Sequence, residues 1–361
     1  MPAAGNAVTE TDNIVVETAE RIFADLADAK TINRDGNGAW KAPLWQALSG
    51  SGLPLSWVPE DCNGSGASLA EGFAVLGAAG RAGLAVPLAE TMLAGWWLSQ
   101  AKLKAPEGIL TLAPVRPQDR FTLHPDGNIS GRARGVPFAS EASHLAVIAE
   151  GPSGASIALV EAGACRIERG SSLADDPSDI VTFDKITPAS IAPAPAGVDA
   201  KSLLLMGALA RSLQIAGTMQ SMLDISVTYA GERVAFGKTI SKFQAVQHNL
   251  ARLAGETSAA LAAASSAADA LAHGTAFDDA VFLEVASAKI RCGEAAEKGA
   301  AIAHQLFGAI GFTREHILHR YTLRALAWRD DFGSESYWAV ELGRLIAARG
   351  ADELWPLVAS R

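Results

Sequence analysis

The last third of this chain turns a corner at Tyr229-Ala-Gly-Glu-Arg-Val-Ala-Phe-Gly-Lys-Thr-Ile-Ser-Lys-Phe-Gln244. An apolar helix stops within this segment and a second helix begins at its closing Phe-Gln pair, so the pattern predicts a helix-turn-helix corner. The guanidinium of Arg233, the ring of Phe236 and the final amide form a combination suited to an adenine-bearing diphosphate. A purely structural interpretation is also open, in which Gly237 caps the helix and Arg233 and Lys238 oppose its dipole.

Long helical patterns surround this corner. We predict helices near 199–233, 243–273, 276–312 and 334–350, joined by short connections. Long amphipathic helices with short connections are typical of an antiparallel four-helix bundle. The alanine-rich stretch 261–271 has little steric bulk and suits close helix packing or a subunit interface.

The first two thirds of the chain divide into a helical part and a β part. Apolar spacing predicts helices within 13–34 and 40–105, whereas short runs of β type follow, separated by Gly, Pro, Asp and Ser. Those runs are 108–112, 120–123, 128–137, 144–149, 155–160 and 180–183. Asp126-Gly127 is a hairpin tip, and the proline-rich stretch 188–195 is predicted to be a connection that ends the strand region.

These patterns predict a mostly α fold with a central β domain. Residues 1–107 form an N-terminal helical domain, 108–197 a small antiparallel β-barrel or sandwich, and 198–361 the C-terminal four-helix bundle. At 361 residues and 49% hydrophobic composition, the chain is large enough for two or three packed domains.

Composition excludes several classes of function. The formal charge is −9, with 30 Lys and Arg against 39 Asp and Glu, which argues against nucleic acid as a partner. The first residues lack an export signal and no uninterrupted apolar run is long enough for a bilayer, so we expect a cytoplasmic protein without a membrane span.

A metal site and a disulfide framework are not expected. Cys62, Cys165 and Cys292 are far apart in sequence, and no close-spaced cysteine pair occurs. His316 and His319 could share a helical face, but no carboxylate-rich ligand set accompanies them.

The order of the three predicted domains, together with the 233–244 motif, resembles the acyl-CoA dehydrogenase family over nearly the whole chain. Val58-Pro-Glu60 followed by Gly64 looks like that family's N-terminal loop, and 127–131 looks like the turn entering its middle strands. Gln305-Leu-Phe-Gly-Ala-Ile-Gly311 is similar to the glutamine-glycine element in which the family receives flavin from a neighbouring subunit.

The resemblance implies FAD-dependent α,β-dehydrogenation of an acyl-CoA thioester, with electrons passed to an electron-transferring flavoprotein. A glutamate removes the α-proton while a hydride leaves the β-carbon. By resemblance, one group of residues contacts the diphosphate and adenine, and another cradles the adenosine half. The first group is Arg233, Phe236, Phe243 and Gln244, and the second is Gln305, Leu306, Gly308 and Ala309.

Three parts of the family pattern are missing. One base position of the family corresponds to Gly333 within Asp330-Asp-Phe-Gly-Ser-Glu-Ser336, and Glu335, two residues away, is the remaining candidate for a base. The other base position falls on 207–208, with no acid and no arginine expected beside it. The loop that holds flavin and thioester is replaced by 112–120. Glu335 also suits the first turn of a helix capped by Ser334.

A chain that retains the half-site given to a neighbour but loses its own resembles the catalytically incomplete subunit of heteromeric acyl-CoA dehydrogenases. This resemblance implies a heterotetramer of two different subunits, a homologous partner that carries the catalytic Glu, and a substrate with a steroid or other bulky side chain. Two alternatives stay open. One is a self-sufficient homo-oligomeric acyl-CoA dehydrogenase with Glu335 as base, and the other is a flavin-free structural subunit.

Overall fold

A computed structural model describes residues 11–28, 32, 38–274 and 277–359, with side chains from Ile14 onward. Helices precede and follow one central sheet. The helices are α1 (Thr11–Leu26), α2 (Lys41–Gly50), α3 (Leu69–Arg81), α4 (Leu88–Gln100), α5 (Ala200–Glu232), α6 (Gln244–His273), α7 (Asp279–Phe307), α8 (Leu318–Trp328), α9 (Glu335–Arg349) and α10 (Leu354–Ala359). Part of the helix expected within 13–34 falls outside the described residues.

The N-terminal helices pack directly on the long helix α5. Helix α3 begins at a capping box, in which Ser68 and Glu71 satisfy each other's backbone N–H groups. Its glycines let two backbones approach, since a Cβ at Gly80 would lie 2.1 Å from the carbonyl oxygen of Gln214. At Gly217 on α5 the same addition would lie 2.2 Å from the carbonyl oxygen of Gly77. The α3–α5 contact therefore depends on small residues on both helices.

The sheet has eight strands in the order β6-β7-β3-β2-β4-β5-β8, with β1 paired in parallel to β4. The strands are β1 (Leu110–Ala113), β2 (Arg120–Leu123), β3 (Ile129–Pro137), β4 (His144–Gly151), β5 (Gly154–Glu161), β6 (Arg166–Glu168), β7 (Ser178–Ile186) and β8 (Ser190–Pro193). Gly127 adopts φ 84° between β2 and β3, at the predicted hairpin tip. The prediction of a connection over 188–195 was wrong, because β8 pairs with β5 at the sheet edge, where prolines are tolerated.

The C-terminal region contains the four predicted long helices. Helices α5, α6 and α7 make its core, and α9 packs against α7. Helix α5 is long and apolar enough to cross a membrane, but 94% of its most apolar window is buried inside the protein. The sequence analysis missed α8, a helix of 11 residues. The predicted fold class is confirmed, and the three domain boundaries stay predictions.

Candidate functional site

The corner after α5 is a small β-hairpin and not a glycine-capped helix end. Helix α5 ends at Glu232, and β9 (Val234–Ala235) pairs with β10 (Lys238–Thr239). Phe236 and Gly237 between them adopt φ 52° and 78°, the two positive values that a tight hairpin turn of type I′ requires. The structural interpretation of Gly237 as a helix cap was therefore wrong.

The hairpin presents its functional groups to solvent. Arg233 and Lys238 are exposed, and the ring of Phe236 is 95% exposed. Gln244, the first residue of α6, is also exposed, whereas Phe243 is half-buried with the Lys238 Nζ 4.4 Å from its ring centroid. The Phe236 ring and the two cations of the hairpin are therefore accessible from solvent.

The second motif lies at the end of α7. Gln305, Gly308 and Ala309 are exposed, and Gly308 has φ 64°. Leu306 is only 8% exposed and packs in the core, so only its backbone faces the outside. Beyond them the ring of Phe312 is 72% exposed and stacks on His304 at 4.2 Å between centroids.

An aromatic cluster holds the two motifs side by side. Tyr229, one turn before Arg233, stacks on Phe307, next to Gly308, with ring centroids 4.1 Å apart. The His316 ring lies 4.6 Å from that of Phe307. The ends of α5 and α7 therefore meet, and the two sequence motifs share one surface.

Three histidines beneath this surface have lowered pKa values, from which we expect the stability of the folded chain to depend on pH. Burial lowers the pKa of His304, His316 and His319 below the ordinary 6.5. As the pH falls, these histidines take up protons in the unfolded chain before they do so in the folded chain. Their contribution to the free energy of unfolding is therefore complete above pH 6.5 and is lost on acidification. We expect the free energy of unfolding to fall between pH 7.5 and 5.5, and to fall less for His304→Gln. The exposed His248→Gln is the control, and an unchanged slope in His304→Gln would contradict the assignment.

The three family positions that lack their expected residues meet at one place, around Phe332. Its backbone N–H donates to the Val115 carbonyl at 3.1 Å, and its own carbonyl accepts from Trp338 Nε1 at 3.0 Å. A Cβ on Gly207 would lie 2.2 Å from the Phe332 ring, so that ring rests on the α5 backbone. Phe332 is 0% exposed.

Phe332 thus fills the space between the loop after β1, helix α5 and the start of α9. Its φ of 54° is unusual for a residue with a side chain, and Gly333 follows at 96°. Such a backbone persists only where the surrounding packing fixes it. By the resemblance, a base at either family position would have to work in the region that this ring occupies.

Glu335 is turned to another partner. Its carboxylate accepts a hydrogen bond from Arg329 Nε at 2.6 Å, and the side chain is 17% exposed. It also packs on α7, because a Cβ on Gly293 would lie 2.2 Å from Glu335 Oε1. Ser334 caps α9 as expected. Glu335 therefore links the start of α9 to the α8 end and to α7.

Sequence analysis missed a buried ionic cluster next to Phe332. Arg211 Nη2 lies 2.6 Å from Glu90, its Nε lies 2.9 Å from Asp331, and its Nη1 lies 2.6 Å from Gln214. The expectation of no arginine beside 207–208 was wrong, since Arg211 is one turn further along α5. Burial alone would lower the pKa of Arg211, but the two carboxylates raise it; burial raises the pKa of Glu90.

Lys289 is a second buried cation close to the segment that carries Phe332. It is 0% exposed and donates to the carbonyls of Trp328, at 3.1 Å, and of Arg329. Burial lowers its pKa to about 8. The lysine thus satisfies carbonyls at the end of α8, immediately before the segment that carries Phe332. No signal in one sequence separates such a core lysine from an exposed one.

Comparison with known sequences supports the expected family. Residues 198–336 match the profile of the acyl-CoA dehydrogenase C-terminal domain. The C-terminal region of the chain, which this profile covers, belongs to the acyl-CoA dehydrogenase family. It is 29% identical to the Mycobacterium tuberculosis acyl-CoA dehydrogenase FadE34 over 84% of this chain and 42% of that protein, so it spans less than half of that relative. It is 28% identical to IpdE2 of the same organism over 78% of this chain and 80% of that protein.

Solved structures of acyl-CoA dehydrogenases share the whole fold. The Tcur3481-Tcur3483 steroid acyl-CoA dehydrogenase variant aligns with a TM-score of 0.83 and 26% identity over 94% of this chain and 98% of that one. The ChsE4-ChsE5 complex from Mycobacterium tuberculosis aligns with a TM-score of 0.84 and 22% identity over 94% and 98%. The second likeness concerns the fold alone.

Proposed function

We propose that this acyl-CoA dehydrogenase homologue is the partner-dependent subunit of a heteromeric, FAD-dependent acyl-CoA dehydrogenase. The surface around Arg233 and Gln305 binds one half of the flavin. The reactive ring of that flavin lies in a homologous subunit, which carries the catalytic Glu. The closed cleft at Phe332 carries this proposal, because a buried ring stands where this chain's own substrate and base would meet.

The exposed residues fit the diphosphate and adenosine half of FAD. A guanidinium can engage two phosphate oxygens at once, and Arg233 is free to do so beside the cation of Lys238. The accessible Phe236 ring can pack on adenine, Gln244 and Gln305 offer amides, and the backbone at Gly308 and Ala309 is open to close approach. When bound, FAD accepts the hydride that leaves the β-carbon of the thioester.

The nature of the partner and substrate rests on the relatives. The aligned Tcur3481-Tcur3483 protein is a steroid acyl-CoA dehydrogenase with two named components. This likeness supports two unlike subunits and a bulky acyl group for the present chain. Two copies of each subunit would form a heterotetramer. We further propose a cytoplasmic location and an electron-transferring flavoprotein as acceptor.

Expression with and without a partner tests the proposal. The chain alone should purify without stoichiometric FAD and should not oxidise any acyl-CoA. Together with a homologous subunit that has a Glu at either base position, it should form a yellow complex that oxidises acyl-CoA. Tight stoichiometric flavin and acyl-CoA oxidation by this chain alone would refute it.

Substitution of Glu335 separates the proposal from a self-sufficient enzyme. We expect Glu335→Gln to leave the turnover of the complex within about twofold, because Glu335 is held by Arg329. A base residue would instead cost several orders of magnitude in rate. Arg329→Gln, which removes the other half of the pair, is the matched control, and loss of turnover in Glu335→Gln with flavin still bound would establish the alternative.

A flavin-free structural subunit is the remaining alternative. It predicts that the flavin content of the complex does not depend on Arg233. The absorbance spectrum of a complex with a substituted Arg233 therefore decides between this alternative and the proposal.

A further inference from the structure

A second charged cavity borders the candidate flavin surface at Phe312 and lies where the N-terminal helices, a loop of the β domain and α8 meet. Its volume is about 430 Å³, within the range of small-molecule sites. Trp40, Leu323 and Phe312 contribute apolar walls. Its charged lining comes from Asp175 and Asp176, before β7, and from Lys41, Arg314, Arg320 and Arg324, and His319 also lines it.

The charges in this cavity do not balance. Arg314 pairs with Asp175 at 2.7 Å, and Arg324 pairs with Asp176 at 2.9 Å. Lys41 lies 4.0 Å from Glu141, whereas Arg320 forms no ion pair with any residue that the structure describes. Among the described residues of the lining, three guanidinium groups therefore face two carboxylates. An uncompensated cation in a partly dry site is costly, and an anion would relieve the cost.

Hydrogen-bond donors in the cavity are also unused. Arg320 Nη2 and Arg324 Nε are buried and have no hydrogen-bond partner among the residues that the structure describes. Arg324 is only 5% exposed, and the Arg320 guanidinium is fixed over the Trp40 ring at 5.4 Å. Burial, and then the neighbouring Arg324, lower the pKa of Arg320 to about 10. Each of these two arginines therefore has one unused donor, and the pair is suited to an oxyanion.

We propose that this cavity binds a small organic oxyanion, a phosphate monoester or a carboxylate, whose charged group contacts Arg320 and Arg324 and whose apolar body contacts Leu323 and Phe312. The site does not depend on the proposed flavin function. It would let a small metabolite fix the relative position of the N-terminal helices, the β domain and α8.

Titration calorimetry of the full chain with phenyl phosphate and benzoate, at constant ionic strength set with KCl, tests the site. We expect saturable one-to-one binding of at least one of them, and the stronger of the two identifies the group as phosphate or carboxylate. Arg320→Gln should weaken that binding at least tenfold, whereas the exposed Arg132→Gln, remote on β3, should not change it.

A second variant tests the site in case Arg320→Gln does not fold. Arg314 is exposed, so Arg314→Gln should fold normally and weaken binding about threefold or more. If neither compound binds, or if Arg320→Gln and Arg314→Gln both bind as the unchanged chain does, the proposal is overturned. Arg320 then only packs on Trp40.

Discussion

Substitution of Arg211 by methionine should lower the free energy of unfolding by about 3–5 kcal/mol, the usual cost of removing one partner from a buried ionic cluster. Arg211 is 3% exposed, and the buried Glu90 and the half-buried Asp331 would be left as carboxylates with no cation between them. The guanidinium also lies over the rings of Trp328 and Phe332, at 5.5 and 5.8 Å. Methionine keeps much of the volume, so the loss reports mainly the charge.

Urea unfolding at pH 7 measures the effect. Arg132→Met, which removes a surface contact with Glu168 at 4.0 Å, should cost no more than about 1 kcal/mol. Combining Arg211→Met with Glu90→Gln and Asp331→Asn should restore part of the loss, since the two stranded charges disappear. A loss below about 1 kcal/mol in Arg211→Met would show that the cluster does not hold α4, α5 and the Phe332 segment together.

The fold class was predictable because its signals are local and repeated. The long helices carry the 3.6-residue pattern over many turns, and most strands are bounded by glycine or proline. The elements that the sequence analysis missed are short, or depend on tertiary contacts more than on the local sequence. Strand β8 is a four-residue edge strand that ends on a proline, β6 has only three residues, and α8 packs against α5 and α7.

The site was predictable only in part, for a different reason. Arg233, Gln244 and Gln305 stand in motifs with fixed spacing, so the sequence places them on helix ends without knowledge of contacts. Phe332 and Arg211 act through long-range packing, with partners more than a hundred residues away, and one sequence gives no sign of such pairs. The sequence indicates that neither family base position holds an acid, but it does not indicate that the ring of Phe332 is buried beside them.

Arg233→Ala in the complex should weaken FAD binding by about 2–5 kcal/mol, the range for truncating one side of a hydrogen-bonded charge pair. That range corresponds to roughly 30-fold to several-thousand-fold weaker binding. The complex should then lose its flavin during purification and with it the dehydrogenase activity. Arg233 is exposed at the hairpin and is the C-cap residue of α5, without a side-chain role in the cap, so the fold should persist.

Flavin content by absorbance and complex mass by size-exclusion chromatography separate loss of FAD from loss of assembly. Lys242→Ala removes an exposed cation from the same corner and should retain flavin. Arg233→Lys keeps the charge but not the planar fork, so an intermediate affinity is expected. Full flavin occupancy and activity in Arg233→Ala would mean that this surface does not bind the diphosphate. The flavin-free structural subunit would then be the better description of this chain.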